Sequence, residues 1–266
     1  HTLYEQYLTS YFVPSKRLGE FLAKVLSRQR LRKVTTLVAP TQKVEDALQG
    51  YGLHAPISVV PSGISLEQHH KRLSHEERLR RRRALGIADD DQVLINLGRL
   101  GGEKNLDELL NLFAEARQEN KNLKFLIVGD GPAREELERR AQKLGIGDYV
   151  IFTGMVPPSE VQNYYQLGDV FVSASTSETQ GLTYIEAAAN GLPLLCRQDE
   201  CLNDVLQEGK NGYEYTSAEE FLDAIDHVMH DPKWRDEASK RSEEIASTFD
   251  KKSFGDAIEN VYESVL

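Results

Sequence analysis

The sequence predicts an α/β fold, a parallel sheet with helices on both faces, and two observations carry that prediction. From Val93 onward, short apolar runs that read as buried strands alternate with amphipathic stretches, the pattern of strand–helix–strand units. The punctuation between them agrees. Gly129-Asp130-Gly131 precedes Pro132, where a first helical turn tolerates proline, and Gly191 ends a helical stretch just ahead of Pro193.

Element by element, Ser15–Lys33 places Leu18, Phe21, Leu22, Val25 and Leu26 at i, i+3, i+4, i+7 and i+8, one face of a helix. Thr36–Ala39 and Ile57–Pro61 read as strands joined by a helix near Lys43–Gly50. Pro61-Ser62-Gly63 is short and turn-prone, and a charged stretch, Leu66–Arg83, follows it. Five apolar runs then predict strands at Val93–Gly98, Lys124–Gly129, Tyr149–Gly154, Val170–Ala174 and Leu192–Cys196. Between them Leu106–Gln118, Pro132–Leu144, Pro158–Leu167 and Leu182–Asn190 carry apolar residues at helical spacing. From about Ala218 the chain reads as helices, including Phe221–Met229 and a last one near Lys252–Leu266.

Only two strands precede the turn at Pro61–Gly63, too few for a sheet of their own. The expected organisation is a partial first domain over 1–63, a complete α/β domain over 64–250 and a closing helix over 251–266. The start at His1 rather than Met fits the expectation of a truncated piece.

Composition narrows the function. The 266 residues hold 32 Lys+Arg and 42 Asp+Glu, a net charge of −10, which argues against a general nucleic-acid binder. The charge is split, with 15 basic and 7 acidic residues in 1–83 (net +8) and 17 and 35 in 84–266 (net −18). Such asymmetry points to an interaction surface at the basic end, although solvated helix faces would give the same count. No run of about 18 apolar residues and no secretory leader is present. Two cysteines, Cys196 and Cys201, give a reducing cytosol as the default compartment. Cys196 is expected in the core and Trp234 as a packing anchor, while His69, His70 and His75 lack the partner spacing of a metal site.

Two motifs carry chemistry. In an open α/β sheet, ligands bind beyond the carboxyl ends of the strands. Gly98-Arg99 closes a strand and Glu103-Lys104-Asn105 precedes a helix, so Arg99 and Lys104 lie where two cations would meet a diphosphate. A surface pair neutralised by Glu103 and Asp107 would have the same sequence. The second motif, Glu178-Thr179-Gln180-Gly181-Leu182-Thr183-Tyr184-Ile185-Glu186, leads from a strand into a helix. Gly181 permits close backbone approach, and the free amides of the helix start suit an anion. Glu178 on the loop can accept hydrogen bonds from sugar hydroxyls, and Glu186 one turn into the helix can grip a ribose diol. The run Ala187-Ala188-Ala189 after it implies tight packing, where a carboxylate needs a partner.

The set GRLGGEKN, FLIVGDGP, VIFTG, ETQGLTYIE and GLP, in that order, resembles the C-terminal half of a retaining GT-B glycosyltransferase of family 4. Glu178 and Glu186, with seven residues between them, match that family's paired-glutamate motif, and His1-Thr2 and Val59–Gly63 match further landmarks. The resemblance implies a GT-B fold, with a complete Rossmann-like C-terminal domain and part of an N-terminal one. It implies that Arg99 and Lys104 bind the donor diphosphate, with Gly98 beside them. Glu178 would touch the donor sugar, Glu186 the ribose, and the loop Thr179, Gln180, Gly181 and Leu182 would offer backbone amides. Phe152 and Gly154 would lie against the base, and His1 would line the cleft near the transferred sugar. No metal or other cofactor is expected. The glycine-rich turn usual after the GLP strand reads Arg197-Gln198-Asp199-Glu200-Cys201 here, so sugar contacts at that place are in doubt.

The acceptor is read from the basic end. Arg17, Lys24 and Arg28 form a stripe beside the apolar face of Ser15–Lys33, and Lys16, Arg30, Arg32 and Lys33 add charge against one acid, Glu20. That is the pattern of a helix in an anionic membrane interface, though a helix packed on its own domain would share it. A second basic run, Arg78–Arg83, lies in the same half. HTLYEQY ahead of a basic amphipathic segment, together with ETQGLTYIEA, resembles the diacylglycerol glucosyltransferase (monoglucosyldiacylglycerol synthase) subgroup. The implied reaction moves glucose from UDP-glucose to diacylglycerol, by a cytoplasmic protein peripheral to the inner face of the plasma membrane. The sequence leaves open GDP or ADP donors, a phosphatidylinositol, polysaccharide or protein acceptor, a nucleotide-sugar epimerase of similar architecture, and a fragment that binds donor without turnover.

Overall fold

The structure, a computed structural model, describes residues 8, 12, 15–31, 33–69 and 71–266. His1, Arg32 and His70 lie outside the described residues. The first described helix, α1 (Lys16–Leu31), is followed by β1 (Leu37–Ala39), α2 (Gln42–Gly50) and β2 (Ile57–Val59). The two strands pair in parallel, Leu37 opposite Ile57 and Ala39 opposite Val59, with α2 as their crossover.

After two helices, α3 (Leu66–His69) and α4 (His75–Ala84), the main sheet begins. It comprises β3 (Gln92–Leu97), β4 (Leu123–Val128), β5 (Val150–Phe152), β6 (Val170–Ser173), β7 (Leu194–Arg197) and β8 (Gly212–Tyr215). Every pair is parallel. The strand order is β5-β4-β3-β6-β7-β8, the doubly wound Rossmann arrangement, whose direction reverses between β3 and β6.

Its crossovers include α5 (Leu106–Glu119), α6 (Arg134–Lys143), α7 (Val161–Tyr165) and α8 (Leu182–Ala189), and the chain closes through α9 (Ala218–His230), α10 (Pro232–Ala246) and α11 (Lys251–Glu263). Strand β4 shows why the sheet needs cover on both sides. Phe125 and Ile127 pack with Phe113, Val172 and Phe221 on one face, while Leu126 and Val128 pack with Phe171, Tyr184 and Ile245 on the other. Successive side chains point to opposite faces, so a strand with four apolar residues in a row, Phe125–Val128, requires two cores.

The helix ends follow local chemistry. Ser217 and Glu220 form a reciprocal capping box at α9, and the Asp231 side chain accepts from Trp234 N ahead of Pro232 at the start of α10. Trp234 is the anchor expected of it, stacked on Tyr213 with ring centroids 5.3 Å apart and donating from Nε1 to the Gly209 carbonyl. Cys196 is fully buried at the end of β7.

The sequence did not single out β8. GYEY is neither a continuous apolar run nor a strict alternation, and as an edge strand it leaves Tyr213 and Glu214 half-exposed. The predicted helix over Pro158–Leu167 is shorter, a 3-10 turn at Pro158–Glu160 and then α7. Where the chain passes from β2 to α3, Ile64 bridges Asp250 in parallel and its amide donates to the Phe249 carbonyl at 2.8 Å. No helix among the described residues is long and apolar enough to cross a membrane.

Candidate functional site

The two loops that flank the switch point carry most of the donor-site residues selected from sequence. After β3 the chain runs through Gly98-Arg99 and a 3-10 turn, Gly102–Lys104, into α5. Asn105 joins turn to helix in the left-handed region, at φ 51°, and its Nδ2 donates to the Ala174 carbonyl at 3.1 Å. That bond ties the β3 loop to the β6 loop. The β6 loop then leads to α8 through Gly181, at φ 70° and ψ 58°. A Cβ there would meet the Tyr184 ring at 2.3 Å, so space as well as conformation requires glycine.

Between the loops lies a cavity of about 280 Å³ lined by Asn96, Gly98, Arg99, Glu103, Lys104, Ser173, Glu178, Leu182 and Thr183. Arg99 Nη2 donates to Glu103 Oε1 at 2.5 Å, and Lys104 Nζ to Glu178 Oε1 at 2.5 Å. Both carboxylates are nearly enclosed, their side chains 2% and 9% exposed, whereas Arg99 is 44% exposed. The Ser175 hydroxyl also donates to Glu178 Oε1, at 2.8 Å. Glu103 does neutralise Arg99, as the simplest reading of that motif had it, while Lys104 turns to Glu178, 74 residues away. Glu103 itself was not selected as a site residue. Its signal was its place inside GGEKN, between the two cations.

At the mouth of α8 the first amides have no intrahelical carbonyl to bond. The Thr179 side-chain oxygen is buried without a hydrogen-bond partner; among the described residues only Arg140 Nε shares that state. Gln180 is almost wholly buried and its side chain is committed to the segment before α3, accepting from Ser62 N at 2.9 Å and donating to Ser62 O at 3.0 Å. Only its backbone remains for a ligand. One turn into α8, Glu186 Oε2 accepts from the fully buried Tyr165 hydroxyl at 2.9 Å. Burial pushes the Glu186 carboxyl above its ordinary range, against the pull of that bond.

Phe152 and Gly154 sit apart from this cavity. Phe152 ends β5 and Gly154 lies two residues beyond it, separated from β3 by β4, and the Phe152 side chain packs against the core. The Gly154 backbone bridges Gly129. A Cβ on Gly129, at φ 131°, would meet the Gly98 carbonyl at 1.9 Å, so glycine lets the two loop backbones touch. Beside them runs a groove lined by Gly98, Arg99, Gly129, Asp130, Gly131, Met155, Val156 and Val161. Met155, 83% exposed, and Val156 follow the expected VIFTG motif directly; the apolar pair just past a strand end was the available signal.

On α1 Gly19, Ala23 and Ser27 are buried, whereas Leu18, Phe21, Val25 and Leu26 are 43%, 61%, 42% and 47% exposed. Arg17, Arg28, Arg30 and Lys33 are exposed beside them and Lys24 half-exposed. Arg28 also donates from Nε to the Tyr51 carbonyl.

The second basic run corrects its sequence reading. Arg78 and Arg82 pair with Asp169, Arg80 and Arg81 with Glu77, Arg81 also with Glu160, and Arg83 with Asp89. These arginines knit α4 to the sheet and are not a second patch for an anionic surface. Of the histidines, His69 is buried with Nδ1 against Asn190 Nδ2 at 2.8 Å, and among the described residues no cluster of three or more His, Cys, Asp or Glu is arranged to hold a metal.

Comparison with known proteins places the chain in a family. Residues 77–245 match the family described as glycosyl transferases group 1. The chain is 37% identical over 226 residues to an alpha-monoglucosyldiacylglycerol synthase of Streptococcus pneumoniae, covering 85% of this chain and 51% of that protein. It is 31% identical over 269 residues to an alpha-monoglucosyldiacylglycerol synthase of Acholeplasma laidlawii, covering 98% and 67%. The chain thus spans about half the length of the first relative and two thirds of the second. Among solved structures, HepE of Anabaena, crystallised with UDP and glucose, superposes with a TM-score of 0.82 at 21% identity over 93% of this chain and 67% of that one. That likeness shows the GT-B fold.

Proposed function

The chain belongs to the glycosyl transferases of group 1, and from that premise we propose that it is the donor-binding part of an enzyme transferring glucose from UDP-glucose to diacylglycerol with retention of configuration. The carrying observation is the cavity at the switch point, where Arg99, Lys104 and Glu178 meet beside the start of α8. The named activity of the two synthases supports the lipid acceptor and the glucose. Their alpha products, set against a donor that is itself α-linked, support retention.

The residues act as follows. The diphosphate enters between Arg99 and Lys104, exchanging their carboxylate partners for phosphate oxygens. As the glycosidic bond breaks, charge builds on the departing UDP, and cations held in place beforehand stabilise it without reorganisation. Glu178, released by Lys104 but still bonded to Ser175, accepts hydroxyls of the sugar. The buried Thr179 hydroxyl and the first amides of α8 add donors. Glu186 takes the ribose diol, and the Met155–Val156 groove takes the base in place of Phe152. No metal takes part, because the two cations meet the diphosphate charge.

The exposed apolar face of α1, flanked by cations, supports a peripheral position on an anionic membrane at its cytoplasmic face. There the lipid acceptor is delivered at the surface rather than through water.

Calorimetric titration with UDP-glucose, ADP-glucose and GDP-mannose tests the donor. UDP-glucose should bind, EDTA should leave the affinity unchanged, and Arg99→Ala or Lys104→Ala should weaken it by about 10- to 100-fold, the size of a lost charge-assisted contact. Absence of binding by all three donors would overturn the reading. Transfer of labelled glucose to diacylglycerol in phosphatidylglycerol vesicles, compared with phosphatidylinositol as acceptor, tests the second substrate in a protein that contains this chain.

A further inference from the structure

The loop that presents Glu178 is held by the segment that precedes the main sheet. Lys43, in the first turn of α2, donates to both oxygens of Asp199, at 2.6 and 2.5 Å, and to the Thr176 carbonyl at 3.2 Å. The pair is enclosed, with side chains 13% and 5% exposed. Asp199 is also fixed from its own side, accepting from Cys201 N at 2.9 Å. Two further bonds grip the same loop. Thr41 stands at the N-cap of α2 yet makes no capping bond with its side chain; its hydroxyl is spent on the Thr179 carbonyl at 2.6 Å. An N-cap threonine ordinarily satisfies its own helix, so that diversion has a structural cost. Ser62 and Gln180 exchange two bonds, as described above. Residues 176–180 are therefore tethered at three points to residues 41–62.

Lys43 lies outside the diphosphate cavity, and it binds where RQDEC replaces the family's glycine-rich turn. A carboxylate in that turn has no favourable role beside a sugar phosphate unless a cation covers it.

We propose that Lys43 is a positioning residue: its ion pair with Asp199 and its bond to Thr176 fix the loop that places Glu178 against the donor sugar. This rests on the donor reading given above, and it makes the first segment a determinant of sugar placement rather than of nucleotide binding.

Two measurements on the intact chain separate the ideas. In the ligand-free protein, hydrogen exchange of amides 176–181 should speed up about tenfold in Lys43→Met and in Asp199→Asn, and return toward the wild-type rate in Lys43→Arg. Unchanged exchange in both neutral variants overturns the latch whatever the protein binds. Calorimetry then compares UDP with UDP-glucose. Lys43→Met should weaken UDP-glucose binding by about five- to tenfold and leave UDP within about twofold, because Arg99, Lys104 and Glu186 hold the nucleotide. An equal loss for both ligands, or for neither, overturns the positioning role. Failure of the wild-type protein to bind either ligand would sink the donor reading and leave the exchange result standing.

Discussion

At Glu186 two forces oppose each other: burial raises the carboxyl pKa above its ordinary value, and the Tyr165 hydroxyl lowers it. Burial wins. A raised folded value means that the folded chain binds more protons than the unfolded one between the two values. Stability therefore falls as pH rises from about 4.5 through the raised value, and the penalty is complete only above that raised value. Glu186→Gln removes the charge and keeps an acceptor for Tyr165. It should unfold at higher denaturant than wild type at pH 7, with the gap closing as pH approaches 4.5, and it should bind UDP more weakly. A variant both less stable and tighter-binding would remove the ribose assignment. At Gly181 the forces act together, since positive φ and the Tyr184 ring both exclude a Cβ; Gly181→Ala should cost about 1–3 kcal/mol by denaturant melt and perturb the loop bearing Glu178. Both residues were legible in sequence because a glycine and a glutamate in one strand-to-helix motif have few other reasons to be there. Glu103 and Lys43 were not, because their meaning lies in contacts made through the fold.

The same distinction decides which elements could be read. Strands β3, β4 and β6 are buried on both faces and announce themselves as continuous apolar runs, whereas β8 pairs along only one edge and does not. Helix α4 was misread for a subtler reason. Glu77, three and four residues ahead of Arg80 and Arg81, signals local pairs that sequence can show. Asp169, which receives Arg78 and Arg82, cannot be placed without the fold. Arg82 is 3% exposed and also donates to the Leu167 and Asp91 carbonyls. Desolvation pulls its pKa down and Asp169 offsets it only in part. Truncation to Arg82→Met would leave Asp169 with Arg78 and the Val93 amide but would unpair the Leu167 and Asp91 carbonyls, at a cost of about 1–3 kcal/mol, read as a lower urea midpoint. A loss under about 1 kcal/mol would mean that α4 is held by its apolar contacts instead.

Across the whole molecule, the order β5-β4-β3-β6-β7-β8 follows from short right-handed crossovers acting on parallel strands, and it puts the cavity between β3 and β6 before any side chain is chosen. Charge sets a second direction. Residues 84–266 carry −18 and would be repelled by an anionic bilayer, so attraction must come from 1–83, at +8. Within that stretch the internal pairing of Arg78–Arg83 leaves the cations of α1 and its flanks to act, each contributing about 1 kcal/mol near an anionic surface. Attraction of this kind decays over a Debye length of about 10 Å at 0.1 M salt and about 3 Å at 1 M. Sedimentation with phosphatidylglycerol vesicles should therefore be strong at low salt, fall steeply toward 1 M, and be weak with phosphatidylcholine at any salt. Phe21, 61% exposed on the apolar face, separates insertion from surface charge alone: Phe21→Asp should lose binding even at low salt, whereas Glu20→Gln should retain it. Sedimentation of Phe21→Asp at the wild-type level would show that the face of α1 does not enter the bilayer and is covered by protein.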